Sequence, residues 1–215
     1  MRKGDSYTVL FAAVVCVVCS LVLAVTSDSL SERQEANAAL DRQRNILKAF
    51  GVELRDAEGR KLDAEAVQGI FDENIDPLVI DGESYEIVED VSIETLDPEQ
   101  VESGERLPVY VWRDRGVAKG YAIPVSGKGL WSTIYGYLAL EDDLNPIRGI
   151  TFYKHGETPG LGGEISTASF QEQFEGKTIR ENGDLTTFRV VKGGAPEGDP
   201  HAVDGISGAT MTSKG

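Results

Sequence analysis

The hydrophobic pattern changes period three times along the chain. Residues 7–26 carry no charge and are rich in Val, Leu and Ala. A helical run of that length matches the hydrocarbon thickness of a bilayer, so a transmembrane helix is predicted. A cleaved signal peptide has a shorter apolar stretch and a small-x-small cleavage site. This run ends Leu23-Ala24-Val25-Thr26-Ser27 and offers no such site. Cys16 and Cys19 each follow Val, which does not suit lipid modification. The reading is an uncleaved anchor. Beyond it, Leu30, Ala36, Ala39, Leu40, Ile46 and Leu47 recur at helical spacing, with Arg33, Arg42 and Arg44 between them. This predicts a helical stalk over residues 27–50. Ser27 or Asp28 would cap its start, and Gly51 would stop it.

Residues 51–105 are acidic and irregular, with one short helix expected over residues 63–74. Turns are expected at Asp81-Gly82, Asp97-Pro98 and Ser103-Gly104. From Leu107 the period becomes that of strands. Val109-Tyr110-Val111-Trp112 is followed by a hairpin turn at Arg113-Asp114-Arg115-Gly116 and a return strand over residues 119–125. Gly127-Lys128-Gly129 reads as a turn, residues 130–140 as a long strand, and residues 147–153 as the next. Consecutive strands with short turns imply an antiparallel meander covered by helices. A short helix over residues 169–175 places Phe170 and Phe174 in the core, and a strand is expected over residues 186–191. The fold class is α+β, an antiparallel sheet with covering helices, preceded by one N-terminal transmembrane helix.

Charge narrows the function. There are 36 acidic and 21 basic residues, a net charge of −15. Phosphate-backbone binding needs clustered Lys and Arg, so nucleic acid is not the partner. Both cysteines lie in the apolar run, which excludes disulfides and thiol catalysis from the remainder. With two His residues and no further Cys, a zinc site is not expected. The acidic residues of the 51–105 stretch lack the spacing of a calcium loop and read as a solvated face. Arg2 and Lys3 precede the span and acidic residues dominate after it. The positive-inside tendency puts residues 1–6 in the cytoplasm and the domain outside, in the periplasm of a bacterium.

Three loops are too polar and glycine-rich for core. The first spans His155-Gly156-Glu157-Thr158-Pro159-Gly160-Leu161-Gly162-Gly163-Glu164. It lacks the Gly-Lys-Ser/Thr of a phosphate loop and the spacing and βαβ setting of a dinucleotide fingerprint. The second is Lys192-Gly193-Gly194-Ala195-Pro196, in which Lys192 either offsets phosphate charge or is a solvated lysine. The third is Asp204-Gly205-Ile206-Ser207-Gly208-Ala209-Thr210, then Met211-Thr212-Ser213. It packs almost no apolar side chain, and its hydroxyls are within reach of a ligand or a modifying enzyme. By composition alone each is a structural loop.

The order D-G-x-S-G-A-T resembles the flavinylation motif of the FMN-binding domain family found in redox-driven sodium and proton pumps. Gly127-Lys128-Gly129-Leu130-Trp131-Ser132, the T-P-G-L-G loop and Val190-Val191-Lys192-Gly193-Gly194-Ala195-Pro196 are similar, in the same order, to the C subunits of sodium-translocating NADH:quinone oxidoreductases. The related G subunits of Rnf electron-transport complexes share the S-G-A-T motif. The resemblance implies FMN joined to Thr210 through a phosphoester, with Asp204, Ser207, Gly208 and Ala209 forming the recognisable segment. Thr158, Gly160, Leu161 and Gly162 would lie against the flavin, with Lys192 near its phosphate. It implies residues 51–215 as a periplasmic FMN-binding domain, the other pump subunits and a flavin transferase as partners, and a bacterial inner-membrane location. The family continues past the threonine into an apolar, aromatic segment, so a domain shortened at its C-terminus is expected. The alternative to a flavin carrier is a membrane-anchored, flavin-free domain that binds a partner.

Overall fold

The structure, a computed structural model, describes residues 3–209 and 211–214; Thr210 therefore lies outside the described residues. Two compact units divide the chain after Arg42. The first is helical. Helix α1, Lys3–Ala49, runs unbroken, so positions 27 and 28 lie inside it and no helix starts there. Within it, Tyr7–Ser27 is long and apolar enough to cross a membrane, and none of that window is buried against other parts of the chain. The helix ends where Gly51 takes a left-handed φ of 78°, as its glycine suggested.

The second unit is built on a five-stranded antiparallel meander. Its strands are β1 (Ile75–Asp81), β2 (Arg106–Asp114), β3 (Val117–Lys128), β4 (Thr133–Glu141) and β5 (Ile147–Lys154), in the spatial order β1-β2-β3-β4-β5. The expected α+β class is the one observed. The β2–β3 turn is tighter than its four-residue signal implied. Arg115 and Gly116 alone form it, both with positive φ, which matches the twist of the flanking strands. β3 continues through the expected 127–129 turn to Lys128. Leu130, Trp131 and Ser132 consequently lie in the loop, not in β4.

The end of α1 covers one face of the sheet. Ile46, Leu47, Ala49 and Phe50 are buried there. The Thr151 hydroxyl donates to the Asn45 carbonyl (3.3 Å) and Arg148 Nε to the Phe50 carbonyl (2.9 Å). Helix α2, Ala64–Asn74, capped by Asp63, packs Val67 and Phe71 into the same layer. α3, Pro98–Glu102, begins at Asp97, so Asp97-Pro98 starts a helix where a turn was expected.

β1 was not anticipated, and Pro77, its third residue, explains why. The Asp81 N–H donates to the Glu86 carbonyl (2.9 Å) and the Val79 carbonyl accepts from the Val88 N–H (2.8 Å). Odd positions of β1 thus turn their backbone groups away from β2. Pro77 shares that parity, so its missing N–H leaves the ladder to β2 intact.

The opposite face carries the second core. Ile134, Leu140 and Ile147 from the sheet meet Ile165, Phe170, Phe174 and Val203 from the C-terminal third. That third holds a 3-10 turn (Gly162–Ser166), α4 (Ala168–Gln171) continuing as a second 3-10 turn (Glu172–Phe174), and four short strands. β6 (Arg180–Glu181) and β7 (Asp184–Leu185) form a minimal hairpin. β8 (Arg189–Val191) pairs with β9 (Ala202–Asp204) in parallel, which brings residues 192 and 205 side by side. β8 is shorter than the expected 186–191 strand, and β9 was not expected.

Candidate functional site

The glycine-rich loops converge beyond the ends of β3, β4 and β5. Gly129 N–H donates to the Ser132 carbonyl (2.9 Å), closing the 129–132 turn. The Ser132 hydroxyl oxygen accepts from the Gly156 N–H (2.6 Å), joining that turn to the 155–163 loop. Within this loop the Thr158 carbonyl accepts from the Leu161 and Gly163 N–H groups (3.1 and 3.0 Å). The Thr158 side chain is exposed, and Gly160 turns the chain at φ 74° with open space around it. Leu161 is 45 % exposed.

Glu157 is the centre of the cluster. The residue is only 6 % exposed and is the one charged residue buried among the described residues. Oε1 accepts from the Trp131 N–H (2.9 Å) and the Ser132 N–H (3.4 Å). Oε2 accepts from the Thr212 hydroxyl (2.5 Å). Burial raises the carboxyl pKa. The bonds from Thr212, Trp131, Ser132 and Leu130 outweigh that and hold it below the ordinary carboxylate value. Its own N–H donates to His155 Nδ1 (3.3 Å), while His155 Nε2 lies 2.8 Å from the Ser166 hydroxyl.

The third loop is folded on itself. Ala209 N–H donates to the Ile206 carbonyl (3.1 Å), and Ser213 N–H to the Ala209 carbonyl (3.0 Å). The Ser213 hydroxyl accepts from the Ile206 N–H (3.2 Å) and donates to the Ala209 carbonyl (2.9 Å). Among the residues that flank position 210, Ala209, Thr212 and Ser213 are buried, whereas Ser207, Gly208 and Met211 face solvent. Asp204 ends β9, and its Oδ1 accepts from the Ala195 N–H (2.6 Å), tying down the 192–196 loop.

Of the sequence-selected residues, the structure brings together Leu161 and Gly208, while Gly162 meets the hydroxyl of Thr212, a residue outside that set. A Cβ built on Gly208 would lie 3.3 Å from a Leu161 methyl. Lys192 lines, with Thr212 and Ser213, a cavity of about 890 Å³ whose other walls include Ile134, Phe152, Ile165 and Val190. Its size suits a small-molecule pocket. Sequence reasoning missed Glu157 and Thr212 as members of the cluster. An acid set among the glycines of the 155–164 loop was the available signal for Glu157, and Thr212 gave none.

Residues 129–215 match the family model of the FMN-binding domain. The chain is 39% identical over 237 residues to the C subunit of the Na(+)-translocating NADH-quinone reductase of Yersinia pestis, covering 100% of this chain and 87% of that one. It is 37% identical over 218 residues to the same protein of Vibrio alginolyticus, covering 93% and 82%. Among solved structures, the C subunit of the Na(+)-translocating NADH-quinone reductase from Parabacteroides distasonis superposes with a TM-score of 0.73 at 32% identity, covering 86% of this chain and 88% of that one. Shewanella oneidensis NqrC gives 0.69 at 31% identity, covering 84% and 87%.

Proposed function

The chain belongs to the family of Na(+)-translocating NADH-quinone reductase C subunits, and from that premise we propose that it carries FMN on Thr210 as an electron-transfer subunit of such a complex. The complex oxidises NADH, reduces a quinone and moves sodium ions outward. This subunit supplies one relay station and neither the NADH site nor the quinone site. The observation that carries the reading is the convergence of the 129–132 turn and the 155–163 loop on the segment that bears the motif, next to an apolar hollow with a lysine on its wall.

The residues fit the cofactor. Gly208, exposed beside Leu161, keeps the backbone low where a flat ring must approach, while Gly162 leaves space for Glu157 and Thr212 beneath it. Leu161 offers an exposed apolar surface to a ring face, and the Lys192 ammonium opposes phosphate charge. Thr158 and Gly160 shape the loop that presents Leu161. Asp204, Ser207 and Ala209 hold the acceptor segment in a form that a separate flavin transferase can engage. In the attachment step the Thr210 hydroxyl displaces AMP from FAD. The threonine O–P bond forms, the pyrophosphate bond breaks, and the hydroxyl proton leaves to a base of the transferase. Bound FMN supplies one-electron and two-electron transfer, and the covalent tether prevents its loss outside the cell. Tyr7–Ser27 fixes the subunit in the inner membrane, with the domain in the periplasm.

The test is the mass of the chain after expression with the transferase. A gain of FMN minus water is expected, with a band that fluoresces after denaturing electrophoresis. Thr210→Ala should abolish both. A fluorescent Thr210→Ala band would refute the assigned residue. A wild-type chain without added mass would leave a membrane-anchored, flavin-free binding domain.

A further inference from the structure

Three segments meet at the cofactor site, and no strand ladder runs through any of them. β3 ends at Lys128 and β4 starts at Thr133; β5 ends at Lys154; β9 ends at Asp204. Their mutual placement depends on side-chain bonds, and a single carboxylate makes bonds to two of these segments from the third. A carboxylate this deep is costly unless its oxygens are occupied. Those of Glu157 accept one hydroxyl and two amides from segments 25 to 55 residues away.

The surrounding chain leaves room for this one group. A Cβ on Gly129 would sit 2.5 Å from Glu157 Oε1, and one on Gly162 would sit 2.8 Å from Oε2 and 2.7 Å from the Thr212 hydroxyl. Each oxygen rests against a glycine where any side chain would collide with it. Thr212 stands two positions past Thr210, and both it and Ala209 are buried. Fixing Thr212 therefore limits the short arc of chain that joins Ala209 to it.

We propose that Glu157 is a positioning residue. Its carboxylate clamps the Thr212 hydroxyl to the 129–132 turn, which makes the acceptor segment rigid and holds a cofactor joined to Thr210 firmly against the domain. The proposal rests on the reading of Thr210 as the attachment point.

The test uses the full chain in detergent, treated with flavin transferase and FAD, as wild type, Thr212→Ser, Thr212→Val and Glu157→Gln. Two quantities are measured: fluorescence anisotropy of the attached flavin, and amide hydrogen exchange across residues 206–213. Thr212→Val keeps the shape of the side chain and removes the bond. Exchange in this segment should rise roughly tenfold, the order of factor that one charge-assisted hydrogen bond contributes. Flavin anisotropy should fall toward that of a freely tumbling tether. Glu157→Gln should move both in the same direction. Thr212→Ser, which keeps the hydroxyl, should restore both, and exchange in β3 and β4 should stay unchanged throughout. Wild-type anisotropy and wild-type exchange in Thr212→Val would overturn the clamp. If even the wild type takes up no flavin, the attachment reading fails, and the exchange measurement still decides whether the clamp exists.

Discussion

Gly162→Ala and Gly160→Ala form a matched pair two residues apart in one loop. Gly160 has a left-handed φ of 74° and nothing within 4 Å of a built Cβ. Alanine there meets only backbone strain, about 1 kcal/mol. Gly162 is the reverse case, because its backbone is not left-handed and its Cβ would meet the Thr212 hydroxyl at 2.7 Å, Glu157 Oε2 at 2.8 Å and Glu157 Cβ at 3.0 Å. None of these atoms belongs to a loose surface chain, since both residues are buried. The methyl must push the carboxylate off its partner. Loss of a charge-assisted bond costs about 1.5–3 kcal/mol. Overpacking adds about 1–3 kcal/mol, partly for the same displacement, so about 2–4 kcal/mol in total is expected. With a urea slope of about 2 kcal/mol per molar, the unfolding midpoint should drop by about 1–2 M for Gly162→Ala and by about 0.5 M for Gly160→Ala. Trp131 and Trp112 fluorescence of the detergent-solubilised chain reports the transition. Equal midpoints, or a larger loss for Gly160→Ala, would refute the argument that space beside Glu157 is what Gly162 preserves.

Two further outcomes are expected. The folded-state pKa of Glu157 lies below its ordinary value, so its contribution to stability is fully present above that ordinary value and fades as pH falls through the folded one. The gap in urea midpoint between wild type and Glu157→Gln should be widest near neutrality, begin to narrow once the pH falls below the ordinary Glu value of about 4.3, and close only at more acidic pH; a gap of constant width from neutral to strongly acidic pH would contradict this. A reporter enzyme that works only in the periplasm, fused after residue 50, should be active, and activity of a cytoplasm-specific reporter at the same position would reverse the proposed orientation.

Some of this architecture was written in local chemistry. Gly51 stops α1, Asp63 caps α2, and Arg115-Gly116 closes a hairpin, each through its own backbone or side chain. Other parts were hidden by the same local rules. Leu130 and Trp131 have strand composition, yet Trp131 is 71 % exposed in a loop because Glu157, 26 residues on, captures its N–H. Pro77 argues against a strand unless the strand is known to be an edge. Asn182-Gly183 is a hairpin signal, both residues having positive φ, but the strands it joins are two residues each and carry no periodicity. The motif around Thr210 was legible because its order is distinctive. The bond between Glu157 and Thr212 spans 55 residues and leaves no trace in spacing or composition.

The outer edge of β1 has a consequence for life at a membrane. Chains held in a bilayer are confined to two dimensions and collide often, and an open strand edge would template sheet growth between neighbouring copies. Pro77 removes one outward donor, and the segment at Glu86 and Val88 occupies the Val79 acceptor and the Asp81 donor further along. A molecule protected this way can be crowded without polymerising.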